Sequence, residues 1–191
     1  MTTGSMLLRH IPNLLTGLRL AAAPATAGLL AEGHFNAAFG LFALAGLSDA
    51  ADGFLAKRFG LSTRLGRLLD PVADKALMLA VFVTLAFLDD VPMWLAATVI
   101  LRDLLIVSGL AVAVASHAPI SIKPLMAGKL CTATQVAYAA LHLGTLAFGF
   151  PIAWLWPVDA YFTAAVAFAS AIGYFAVWLN AMQGIQRKDY A

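Results

Sequence analysis

The chain has 191 residues, 62% hydrophobic and 12% charged, with a formal net charge of +2 and a mean hydropathy of +0.86. Soluble domains run roughly 45–50% apolar and about 25% charged, so this chain has too few polar groups to cover a water-facing surface. That excludes a soluble enzyme, a disordered tail and a nucleic-acid-binding domain, and leaves an integral membrane protein; the single cysteine, Cys131, excludes a disulfide framework and any multi-cysteine metal site.

Apolar stretches at 14–31, 35–56, 68–88, 92–115, 124–149 and 158–182 predict six spans, since a bilayer crossing needs about 20 residues. Lipid offers no partners to free backbone groups, so each span must be a helix. The first carries Asn13, Thr16 and Arg19 at i, i+3, i+6. It follows Arg9 and holds the small-residue run Ala21–Ala27, yet Arg19 and Pro24 interrupt it, which predicts a retained span rather than a cleaved signal. The turn Glu32-Gly33-His34 leads to the second span, which ends in Asp49 and Asp52. A basic loop from Lys57 to Arg67 precedes the third span, which begins with Asp70 and Asp74. Asp89-Asp90-Val91-Pro92 turns the chain into the fourth, interrupted by Arg102-Asp103. The segment from His117 to Lys123 separates it from the fifth, which opens on Lys123-Pro124 and Gly128-Lys129 and continues through Thr132 and Gln135; Pro151 to Pro157 leads to the sixth. With no repeat or long linker, residues 1–191 read as one all-α domain, an integral membrane bundle of six transmembrane helices.

Arg9, the group Lys57, Arg58, Arg64 and Arg67, then Lys123, Arg187 and Lys188 all fall on one side of such a bundle. The connections on the other side carry Glu32, His34, Asp89 and Asp90 but no Lys or Arg. The positive-inside rule makes the basic side cytoplasmic and predicts both termini there.

Four aspartates stand where a membrane chain should least hold them. Asp49, Asp52, Gly53 and Ala56 recur at i, i+3, i+4 and i+7, and Asp70 and Asp74 at i, i+4, so each set shares one face of a helix. Two antiparallel helices joined by a short loop would bring both acidic faces together near the cytoplasmic surface. Converging carboxylates repel unless cations sit among them, and an all-oxygen donor set suits hard divalent ions such as Mg²⁺ or Mn²⁺. Two such ions can clamp a phosphoryl group. Gly53 and Gly66 permit close backbone approach, and Lys57, Arg58, Arg64 and Arg67 can pair with phosphate oxygens. As a bland alternative, the basic residues are only a positive-inside loop, but topology alone does not demand acids on both helices.

The run Asp49-x2-Asp52-Gly53-x2-Ala56-Lys57-x8-Gly66-x3-Asp70-x3-Asp74 resembles the signature of the CDP-alcohol phosphatidyltransferases, D-x2-D-G-x2-A-R-x8-G-x3-D-x3-D. One position departs: Lys57 stands for the arginine, and Arg58 follows it. The resemblance implies a six-helix membrane enzyme, homodimeric, which uses a CDP-linked lipid and releases CMP. It implies that Asp49, Asp52 and Asp70 ligate two Mg²⁺ or Mn²⁺ ions, and that Asp74 is the general base and also touches a metal. It further implies that Asp52, Gly53, Ala56, Lys57 and Gly66 form the CDP site. An ammonium cannot reproduce a guanidinium's planar fork, so Lys57 would hold phosphate as a point charge.

Ile11 to Arg19 and the run Thr63 to Lys75 look like the branch that makes anionic glycerophospholipids, the phosphatidylglycerophosphate synthases and CMP-forming cardiolipin synthases. The donor is then CDP-diacylglycerol, and the acceptor is glycerol 3-phosphate or phosphatidylglycerol. Arg102-Asp103 and Lys123-Pro124…Gly128-Lys129…Thr132…Gln135 look more like the cardiolipin synthases, since Arg-Glu is commoner at the first site in the others. Asn13, Arg19, Arg67, Arg102, Lys123 and Lys129 are candidate acceptor or phosphate-binding residues, with internal ion pairs as the alternative use of buried cations. The expected location is a bacterial inner membrane with the site at the cytoplasmic face. An ion transporter or channel would spread charges through the membrane depth, whereas these gather at one interface. His10, His34, His117 and His142 lack metal-ligand spacing and read as packing or interfacial residues; Trp94, Trp154 and Trp156 fall near span ends, as interface anchors do.

Overall fold

Runs of Leu, Ala, Phe and Val broken by short turns give six α-helices in the computed structural model: α1 Thr3–Ala31, α2 Phe35–Phe59, α3 Arg64–Phe87, α4 Met93–Ala115, α5 Met126–Phe148 and α6 Trp156–Asp189. The structure describes residues 3–59, 64–115, 126–152 and 155–189, with side chains for 16–48, 72–109, 126–152 and 155–179. Each helix falls on one expected stretch, and the largest differences are at the ends. α1 begins at Thr3 rather than at residue 14, α6 ends at Asp189 rather than at 182, and most of the expected loop from Lys57 to Arg67 is helical. Hydropathy marks where a helix is apolar, not where its backbone hydrogen bonds begin, so basic helix ends read as loop. Within the described residues of α6, Trp156–Leu179 is long and apolar enough to cross a membrane.

The chain forms two compact units, Met1–Val91 with Ala139–Ala153, and Pro92–Tyr138 with Trp154–Ala191. In the first, α1 packs on α3 and on α2. α1 buries Thr16, Arg19, Ala22, Ala23, Thr26 and Leu30, a single stripe at helical spacing. α2 buries Ala38, Phe42 and Ala45, and α3 buries Ala73, Leu77, Met78, Val81, Phe82 and Leu85. Phe39 meets Phe148 edge-on with centroids 5.2 Å apart.

In the second unit α4 packs on α6. α6 turns small residues inward, Ala160, Thr163, Ala164, Ala167 and Ser170, while Val158, Tyr161, Phe162, Phe168 and Ile172 are exposed. Small buried residues let helix backbones approach, and large apolar side chains facing outward suit lipid rather than water. Hydroxyls on these outward surfaces are satisfied locally: Thr98 Oγ1 donates to the Trp94 carbonyl at 2.8 Å and Ser48 Oγ to that of Leu44 at 2.7 Å. Returning to the carbonyl one turn back needs no water. Trp94, on the first turn of α4, and Tyr161, on the second turn of α6, stack with centroids 5.3 Å apart; the sequence places an interface anchor at Trp94.

Helix ends are closed by left-handed residues. Gly33 (φ 78°) ends α1, with its N–H on the Leu30 carbonyl and the His34 N–H on that of Leu29, a Schellman cap. α3 ends in the same pattern at Asp89 (φ 61°), whose N–H reaches Ala86 while that of Asp90 reaches Leu85. A side chain in this conformation is strained where glycine is not. Burial, and then the Asp89 charge, raise the Asp90 pKa above the ordinary carboxylate value. A raised folded-state pKa favours the fold at low pH, and that contribution fades as pH rises through it. Asp89→Gly removes both the strain and the neighbouring charge. It should therefore raise stability by about 0.5–1 kcal/mol, with a larger gain in melting temperature at pH 7 than at pH 3; an unchanged melting temperature at both would contradict this account.

Candidate active site

The two aspartate pairs occupy helix, as their spacing predicts: Asp49 and Asp52 lie in the last turns of α2, Asp70 and Asp74 in the first turns of α3. The inward stripe of α2 runs Ala38, Phe42, Ala45, steps of four and three. Continued along the same unbroken helix, that register passes through positions 49, 52 and 56. On α3 the buried positions Val81 and Met78 lead back in the same way to 74 and 70. In both helices the register that builds the apolar core runs out into carboxylates at one end. α1, the common neighbour of α2 and α3, has its own inward stripe, Thr26, Ala23, Arg19 and Thr16, which extends to position 13. Position 13 thus continues the register of the buried Arg19.

Asp74 is half-buried, flanked by the buried Ala73 and, one turn on, Leu77. Asp74, Lys75 and Arg19 each engage a partner, and Arg19 is only 2% exposed. Asp49, Asp52, Gly53, Ala56, Lys57, Gly66, Arg67, Asp70 and Asn13 have described backbone only, and Lys123 lies outside the described residues. Lys129 is exposed on the first turn of α5.

Arg102 is the most fully determined of the expected site residues. At 5% exposure, its Nη1 donates to Asp103 Oδ1 at 2.6 Å, and its Nη2 to Ser170 Oγ at 2.7 Å. Nε reaches the same hydroxyl at 3.3 Å, and the guanidinium lies 5.9 Å from the Tyr174 ring centroid. Sequence reasoning missed Ser170 and Tyr174. Their i, i+4 spacing on an apolar helix was the available signal, but a single Ser or Tyr in a span is common, and only packing shows that α4 delivers a cation to them. Gln135 is fully buried, with its Nε2 3.4 Å from Cys131 Sγ, and His142 is buried as a packing residue.

Comparison with known proteins agrees with the signature. The CDP-alcohol phosphatidyltransferase family profile matches residues 9–182. The chain is 32% identical over 198 residues to a CMP-forming cardiolipin synthase of Rattus norvegicus, covering 93% of this chain and 64% of the relative. It is 37% identical over 141 residues to a CDP-diacylglycerol--glycerol-3-phosphate 3-phosphatidyltransferase of Cereibacter sphaeroides, covering 71% and 64%. With the human cardiolipin synthase the match covers 83% of this chain and 60% of the relative; the chain therefore spans less than two thirds of these relatives' length. The match runs through all six helices and both aspartate pairs, and on it the chain belongs to the CDP-alcohol phosphatidyltransferase family.

Proposed function

We propose that the protein is a phosphatidyltransferase of phospholipid synthesis, moving the phosphatidyl group of CDP-diacylglycerol to a glycerol-type hydroxyl and releasing CMP. The observation that carries this reading is the register of α2 and α3, whose inward stripes continue from apolar core into the positions of Asp49, Asp52, Asp70 and Asp74. Six membrane spans are proposed from the apolar stretches, and the Lys and Arg distribution supports cytoplasmic termini and a site at the cytoplasmic face; a bacterial inner membrane is the proposed location. A cytoplasmic-edge site suits a donor with a water-soluble nucleotide and a lipid tail.

The acceptor hydroxyl oxygen attacks the phosphorus that bears the diacylglycerol. The P–O bond to CMP breaks, and CMP leaves with the bonding pair. Asp74 takes the hydroxyl proton. Its half-buried place on a continuous helix favours that role, because a rigid element holds the carboxylate in position. Asp49, Asp52 and Asp70, with Asp74, form an all-oxygen donor set that fits two Mg²⁺ or Mn²⁺ ions, which when bound would neutralise charge on the diphosphate. Gly53, Ala56 and Gly66 leave room for the cytidine diphosphate, and Lys57 supplies a cation to its phosphates.

Phosphatidylglycerol is the favoured acceptor, supported by the 93% coverage of this chain against a cardiolipin synthase; glycerol 3-phosphate is the second, supported by the relative from C. sphaeroides. Purified protein given CDP-diacylglycerol and Mg²⁺ should release CMP with one of these two and with neither serine nor inositol. The lipid product identifies which. Cation flux in liposomes without CMP release would replace this reading with a transport function.

A further inference from the structure

We propose that Arg102 is a positioning residue that, with Asp103 and Ser170, seats Tyr174 against the first turn of α5. The chain of contacts is continuous. All three guanidinium nitrogens already have protein partners, Nη1 on Asp103 at 2.6 Å and both Nη2 and Nε on Ser170 Oγ at 2.7 and 3.3 Å. The Arg102 and Asp103 side chains are 4% and 14% exposed, so the pair forms a shielded, neutral unit rather than a free cation. The same guanidinium lies over the Tyr174 ring, an attraction strengthened by desolvation. Tyr174 in turn packs onto bare backbone: a Cβ at Gly128 would stand 2.6 Å from its Oη and 3.0 and 3.2 Å from two ring carbons. A Cβ there would push the Tyr174 ring aside, and the next residue along α5 is Lys129.

A phosphate-binding arginine must offer its fork to open space, whereas this one faces inward and is spent on α4 and α6. Its effect on acceptor binding is therefore indirect: it fixes the first turn of α5, and Lys129 with it, against α6. This role deepens the proposed phosphatidyl transfer, and its activity readouts rest on that reading.

The test compares the purified full chain with Arg102→Lys, Ser170→Ala, the double variant and Gly128→Ala, reading the melting temperature and both KM values. Each single change should lower the melting temperature and raise the acceptor KM about tenfold, with the CDP-diacylglycerol KM held within about twofold. The double variant should be no worse than Arg102→Lys alone, because both changes break one contact. If Arg102→Lys raises the acceptor KM while Ser170→Ala and Gly128→Ala match the native protein, Arg102 touches the acceptor directly and the proposal falls. Additive effects in the double variant overturn it too. Should Arg102→Lys not fold, the Ser170 and Gly128 variants decide the same question. A native protein that releases no CMP would sink the transferase reading, and the melting-temperature coupling would still test the clamp.

Discussion

Asp74→Asn is expected to lower CMP release by about 10²- to 10⁴-fold, the usual range for loss of a general base. The exchange keeps shape and hydrogen-bonding capacity but cannot accept the hydroxyl proton. Asp74 is half-buried at the end of a stripe that continues into buried Met78 and Val81, so its side chain is held by a rigid helix rather than a loop. The variant should fold, with a melting temperature no lower than the native one in the absence of metal. Asp74→Glu keeps the base but displaces it by one methylene, and a misplacement of about 1 Å can cost about 10²-fold. Full activity in Asp74→Asn would remove Asp74 as the base; unfolding of that variant would leave Asp74→Glu to show whether position matters.

Chelation should abolish activity, and Mg²⁺ or Mn²⁺ should restore it. The larger diagnostic lies in stability. A cation that binds the folded state alone adds about 2.7 kcal/mol at a hundred times its Kd, so the native protein should melt higher with Mg²⁺ than with EDTA. Asp49→Asn, Asp52→Asn and Asp70→Asn should each lose most of that gain. In EDTA the same variants should be at least as stable as the native chain, because in the proposed site each removes one of several like charges. Loss of stability in EDTA would mean that the carboxylates are structural partners; full activity in EDTA would remove the metal site altogether.

How much was legible beforehand depends on the range of the interaction. The six apolar stretches marked the helices because lipid and chain composition act residue by residue, and the aspartate spacing was readable because a helix repeats locally. The helix ends were not, since Lys57, Arg58, Arg64 and Arg67 belong to helices while their charge looks like loop. The Schellman cap at Asp89 was hidden because a non-glycine residue occupies a left-handed position.

The sequence by itself determined the helical class and the family signature from Asp49 to Asp74, both from short-range patterns. Only the tertiary structure decided which face of each helix is inward, so that the core registers of α2 and α3 continue into positions 49, 52, 70 and 74. It alone decided that Arg102 meets Ser170, 68 residues away, and that Gly128 receives the Tyr174 ring. The reason is physical: the neighbouring Asp103 neutralises the buried guanidinium, but its remaining N–H groups need acceptors, and no local pattern records which distant side chain supplies them.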